Sequence, residues 1–204
     1  LGPAPLRSFH SDLSPRGVHD HFPSWRRYQE FAGGGHADMG AHHYDIALWA
    51  LGFDDSAPTR VTPPEDANAL RGVRYTLPGD VELVHGGPSG CIFYGDSGAL
   101  HINRSVLASV PAEVVDGPLA DAELRVYRSP GHHRNWMDCI RSRERPVADV
   151  EAGARAATII HLGNLAYRYR REFSWDWQSW SFGDARDDRL RDHPRRDAWP
   201  LPEV

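Results

Sequence analysis

A chain of 204 residues with 40% hydrophobic and 25% charged side chains has the composition of a soluble globular protein, long enough for one generous domain or two small ones. Its net charge of -5 comes from 28 acidic residues and 23 scattered arginines with no lysine, so neither a nucleic acid nor an anionic membrane is an expected partner. A lysine acid, base or Schiff base is excluded within these residues, and no apolar run approaches the roughly 20 residues of a membrane span.

Residues 1–32 hold several prolines and the cluster Arg16-Gly17-Val18-His19-Asp20-His21, and read as loop with a short helical turn near Trp25. A helix is predicted from Asp38 to Leu51, because Met39, His43, Ile46, Ala47 and Ala50 recur at helical spacing and Gly52 stands where a C-terminal cap belongs. From 71 to 110 the period changes to two. Val73–Leu77 and Val81–His85 flank Pro78-Gly79-Asp80, and Cys91–Tyr94 and Ala99–Ile102 flank Asp96-Ser97-Gly98, giving two predicted hairpins in one meandering antiparallel sheet. A further strand is predicted at Leu124 to Tyr127.

Helix returns after Gly131: Trp136, Cys139, Ile140 and Arg143 share a face that Pro146 ends, and Asp149 caps a long helix running through Ala154, His161 and Tyr169. The tail from Phe173 carries four of the seven tryptophans and reads as an extended segment docked by its aromatics. Cys91 and Cys139 lack disulfide or zinc spacing and read as buried reduced thiols. No strand is followed by G-x-G-x-x-G, so the chain shows no site for a dinucleotide pyrophosphate.

The stretch GGGHADMGAHHYD at 33–45 concentrates the chemistry. Residues four apart on a helix lie one above the other, so Asp38, His42 and Asp45 form a stripe beside the apolar one. Asp38, placed in the first turn, would be stabilised by the helix dipole and could orient the His42 imidazole, which is suited to pass a proton at neutral pH. Glycine backbone at Gly34 and Gly35 would let a small polyol approach closely. A loose glycine loop ahead of a capped helix explains the same spacing, and both readings stand on the residues alone.

The pattern G-G-G-x-x-D-x-G-x-H-x-x-D-x-A-x-W-x-L-G, with LGPAP, RGVHDHFPSWRRY, GDSGAL, RNWMDCIRSRERP, DVEAGARAATIIHLGNLAYR and the closing FSWD and AWPL, resembles successive segments of the C-terminal domain of Gfo/Idh/MocA-type oxidoreductases, in a branch acting on sugars and polyols. The resemblance implies an α+β fold of the dihydrodipicolinate-reductase-like kind: an open, mostly antiparallel sheet with helices on one face. It places 1–204 in one such domain, with an opening segment at 1–32, an α+β core at 33–170 and a wrapping tail at 171–204. It also implies NAD or NADP bound by an amino-terminal Rossmann domain, hydride transfer at a secondary alcohol, and proton movement by Asp38 and His42. The family's Rossmann-half lysine and dinucleotide fingerprint have no counterpart here, so the resemblance covers the substrate-binding and oligomerisation half.

Second-tier substrate contacts are expected at Arg16, His19, His21, His132 and His133, in loops flanking the family's substrate-facing segments. His43 and His161 read as core histidines. A rival reading places a divalent metal on His19, His21, Asp38 and His42 and makes the protein a stand-alone metal-assisted sugar lyase, hydrolase or isomerase. A third makes it a non-catalytic binding or assembly module. Homo-oligomerisation through the sheet face is expected, with a sugar or polyol and a Rossmann domain as partners. The compartment stays open between cytoplasmic and exported, the latter through an upstream signal.

Overall fold

The computed structural model describes residues 2–13, 24–53, 55–117 and 129–201. In chain order its elements are helices α1 (Gly34–Asp38) and α2 (Gly40–Ala50), strands β1 (Arg60–Thr62), β2 (Arg74–Thr76), β3 (Glu82–Val84), β4 (Cys91–Gly95), β5 (Gly98–Asn103) and β6 (Val106–Val110), helices α3 (Glu113–Asp116), α4 (His132–Ser142) and α5 (Val150–Tyr169), and strands β7 (Phe173–Asp176) and β8 (Ser181–Phe182). The fold is α+β with open antiparallel sheets. No described helix is long and apolar enough to cross a membrane.

The chain divides into two compact units, residues 1–86 with 155–204, and residues 87–154. In the first unit the strand order is β3-β2-β1-β7-β8, all pairs antiparallel. Register sets Val61 opposite both Tyr75 and Phe173, and because side chains alternate across a strand this row shares one face. All three are buried, in one cluster with Tyr44 and Leu48 of α2 and Ile159, Leu162 and Ala166 of α5. Each such side chain contributes about 1.5–3 kcal/mol of apolar burial. The neighbouring rows are charged, and the ion pairs Arg60–Glu172 and Arg74–Glu82 lie exposed.

The second unit holds β4-β5-β6, with Gly95 opposite Gly98 closing the tight turn. Both predicted hairpins form, but in different sheets, so the single meander is corrected: β2 pairs onward with β1, and β1 with β7, while β3 does not pair with β4. The tail is likewise more than a docked strap, because β7 pairs with β1 and buries Phe173 and Trp175. Asp149 Oδ1 accepts the Glu151 and Ala152 N–H groups at 2.8 and 3.1 Å, capping α5 as its position predicts. Arg143 ends α4 in the left-handed region, its N–H reaching Cys139 O. Cys91 and Cys139 are not joined in a disulfide, and both are half-buried rather than fully buried. The predicted strand at 124–127 lies outside the described residues.

Candidate functional site

The helix predicted from Asp38 begins earlier and is broken once. Gly33 precedes α1, Gly34 follows at φ 72°, and Asp38 closes α1 instead of opening a helix, which removes the first-turn dipole argument. Met39 keeps right-handed angles (φ -77°, ψ -29°), and its N–H reaches Gly35 O at 3.2 Å before α2 starts at Gly40. Helical backbone continues through the break, so Asp38 and His42 retain their one-turn spacing. His42 and Asp45 are exposed; Asp38 is partly exposed, and its carboxylate pairs with Arg26 from the 3-10 turn Ser24–Arg27. Sequence reasoning missed Arg26, which lies twelve residues away with no local signal.

The expected core stripe through Met39 and Ile46 is corrected. Those side chains are 40% and 37% exposed, and α2 buries Tyr44 and Leu48 instead, beside Ala47 of the expected stripe. The reason lies in a polar cluster that turns Tyr44 inward. Asn164 of α5 donates through Nδ2 to Gly33 O at 3.0 Å, which aims its Oδ1 at His36 Nδ1, 2.9 Å away. That carbonyl oxygen can only accept, so His36 carries its proton on Nδ1 and presents a bare Nε2. The Tyr44 hydroxyl sits 2.7 Å from Nε2 and donates to it. The Tyr75 hydroxyl stands 3.3 Å from that of Tyr44 and 3.5 Å from the same Nε2, which closes the cluster. Burial is the main cause that lowers the His36 pKa, keeping the ring neutral, and it raises those of Tyr44 and Tyr75.

A second pair lies against the first. The Val73 N–H donates to the Tyr167 oxygen at 3.1 Å, and the same hydroxyl shares a hydrogen bond with His85 Nδ1 at 2.6 Å. The His36 and His85 rings lie 4.3 Å apart at 32°. Burial, then the proximity of His36 and Arg71, lowers His85 to about 4. Two glycines allow the packing. A Cβ at Gly33 would overlap the Ala37 Cβ and stand 3.3 Å from Asn164 Nδ2, and one at Gly163, inside α5, would overlap the Tyr75 hydroxyl and come within 2.7 Å of His36 Cε1. Glycine in a helix interior costs about 0.5–1 kcal/mol; here it admits a buried hydroxyl.

Beside the loop a groove of about 1070 Å³ is lined by Gly33, Gly34, His161, Asn164, Arg168 and Trp180, among others. Gly34 lines this concavity, whereas Gly35, Asp38 and His42 lie outside the lining. His161 is not the expected core histidine: it is exposed on the groove, where partial desolvation first and His193 second lower its pKa. His43 is half-buried.

His132 and His133 open α4 in the second unit, both exposed, their rings 4.1 Å apart. Arg16, His19 and His21 lie outside the described residues. Among the described residues no group of three or more His, Cys, Asp or Glu could hold a metal ion.

Residues 1–201 match the family described as "Oxidoreductase family, C-terminal alpha/beta domain". The chain belongs to the Gfo/Idh/MocA oxidoreductase family. The match is to that family's C-terminal domain, with no Rossmann domain matched. No curated protein and no solved structure matches the chain. Within the Gfo/Idh/MocA domain the α1–α2 corner carries the stretch GGGHADMGAHHYD, so the residues that bear the family resemblance and the buried polar cluster occupy one piece of structure.

Proposed function

We propose that this chain is the substrate-binding and oligomerising half of an NAD(P)-dependent oxidoreductase acting on a secondary alcohol of a sugar or polyol. Family membership carries the reading. The corner supports it: His42 is open to a substrate on α2, one turn after Asp38, whose carboxylate Arg26 holds. His42 takes the hydroxyl proton as the alcohol is oxidised, or returns it in reduction. Arg26 and Asp38 fix the start of α2, and Gly33 and Gly34 line part of the neighbouring groove with bare backbone.

The residues of this chain do not themselves fit a dinucleotide. No strand leads into G-x-G-x-x-G, and the three glycines at 33–35 are tied to a five-residue helix, so the cofactor would sit on a Rossmann domain beyond these residues. Self-association is supported by the three-stranded sheet. Tyr94, Ala99 and Val110 form one row, and Tyr94 and Val110 are 82% and 75% exposed. Light scattering at micromolar concentration should report a dimer or larger species; a monomer would remove the oligomerising role.

The test is a panel of sugars and polyols with NAD or NADP, assayed on the complete natural polypeptide together with elemental analysis. Substrate-dependent reduction of one nicotinamide cofactor is expected. Turnover without nicotinamide by protein holding stoichiometric metal would replace this reading with the metal-assisted one.

A further inference from the structure

The half-buried ring two residues before Asp38 has no part in the proton transfer just described, yet both its nitrogens are bonded. His36 bonds to Asn164 on one side and Tyr44 on the other, at 2.9 and 2.7 Å. Asn164 in turn holds the Gly33 carbonyl, and Tyr75 stands 3.5 Å from the same Nε2. One imidazole thus joins the glycine loop, α1, α2, β2 and α5. Asp38 and His42 have no comparable anchoring of their own: His42 is exposed, and Asp38 is held by a partly exposed arginine.

We propose that His36 is a positioning residue for the catalytic corner: through Asn164 and Tyr44 it sets the angle at which α1 and α2 meet, and so where Asp38 and His42 stand. The inference rests on the proposed oxidoreductase reading for its kinetic consequence but not for its geometry. The direction of the hydrogen bonds makes the device selective for a neutral ring with the proton on Nδ1. Moving that proton to Nε2 would face the Asn164 oxygen with a bare nitrogen and set two donors against each other at Tyr44. The groups facing the ring are Asn164 from α5, Tyr44 from α2, Tyr75 from β2, and His85 and Tyr167 alongside. A displacement of about 1 Å at a reacting group can lower turnover by about a hundredfold, so a corner free to pivot would cost rate more than affinity.

The experiment compares His36→Leu, which removes both bonds, with His36→Gln, which keeps one donor and one acceptor on a side chain of similar reach. Leu83→Ala, a truncation at the edge of the same core, is the control for general loss of stability. Nitrogen-15 spectra of the imidazoles in the full-length protein are read first. A Nδ1–H tautomer at His36, and His42 ring resonances that move in His36→Leu but not in His36→Gln or Leu83→Ala, are the expected results. In turnover, His36→Leu should lose about ten- to a hundredfold in kcat with KM within about threefold, and His36→Gln should recover most of it. An Nε2–H tautomer, or His42 resonances equally undisturbed in all three variants, overturns the proposal. Equal losses of kcat in His36→Leu and Leu83→Ala at matched melting temperature do the same. If no nicotinamide-dependent turnover exists, the oxidoreductase reading fails, while the tautomer and His42 resonances still decide the positioning role.

Discussion

Two helix starts in this chain carry adjacent histidines, and the structure treats them in opposite ways. At the α1–α2 corner, His36 is bonded on both ring nitrogens and the following helix buries Tyr44, Ala47 and Leu48, leaving His42 projecting from an anchored base. At α4, His132 and His133 touch each other, and the helix buries none of its residues, with Trp136 60% exposed. A proton-transfer group is effective only if its nitrogen is held at a fixed place relative to the substrate hydroxyl. The comparison therefore ranks the exposed histidines His42, His132 and His133 by what fixes the helix beneath them rather than by their exposure, which they share.

The largest expected difference is catalytic. His42→Ala should lower kcat by about 10²- to 10⁴-fold, the usual cost of losing a general acid–base, while His132→Ala and His133→Ala should change KM alone, by about tenfold at most. Steady-state kinetics on the three variants checks this, and a kcat loss at α4 as large as at α2 would reverse the ranking. Next comes Gly163→Ala, whose methyl would overlap the Tyr75 hydroxyl. It should destabilise the protein by about 1–3 kcal/mol in chemical denaturation, despite alanine's better helix propensity. An equivalent change at Gly153, where a Cβ meets nothing within 4 Å, should be neutral or stabilising.

The corner should also weaken in acid. His36 and His85 both have folded pKa values below the ordinary 6.5, His85 at about 4, so the folded state resists protons that the unfolded chain accepts. Both contributions to stability are complete above about 6.5 and are lost as pH falls below it, that of His85 through about 4. The melting temperature should drop across that window, and His85→Gln should flatten part of the drop. The smallest effect is expected at Tyr75→Phe, which removes the last hydroxyl of the relay while leaving the Tyr44–His36 bond intact. About 1 kcal/mol is expected from denaturation.

Much of the local structure was legible because its causes are local. Asp149 caps α5, Gly52 follows α2 at φ 73°, and Asp96-Ser97 turns a hairpin, each from a signal within a few residues. The division of the hairpins between two sheets was not legible, since β1 joins β7 through the Val61–Phe173 pairing, 112 residues apart, which only tertiary contact specifies. The same limit explains the misread face of α2. Periodicity favoured Met39 and Ile46 as apolar, yet Tyr44 turns inward because His36, Tyr75 and Gly163 together make a polar place for its hydroxyl. Asp38 and His42 are singled out by their spacing and the family resemblance, whereas Arg26, which pairs with Asp38, and Asn164 and Tyr75, which surround His36 and Tyr44, come from three distant segments.

Chemical rescue tests the central claim most directly, that His42 moves the substrate proton from a fixed corner. Imidazole added to His42→Gly, in the complete polypeptide with substrate and NAD(P), should raise turnover in proportion to its concentration and do nothing for His132→Gly. Turnover by His42→Gly equal to wild type without imidazole, or a depressed rate that imidazole leaves unchanged while substrate still binds, would contradict it.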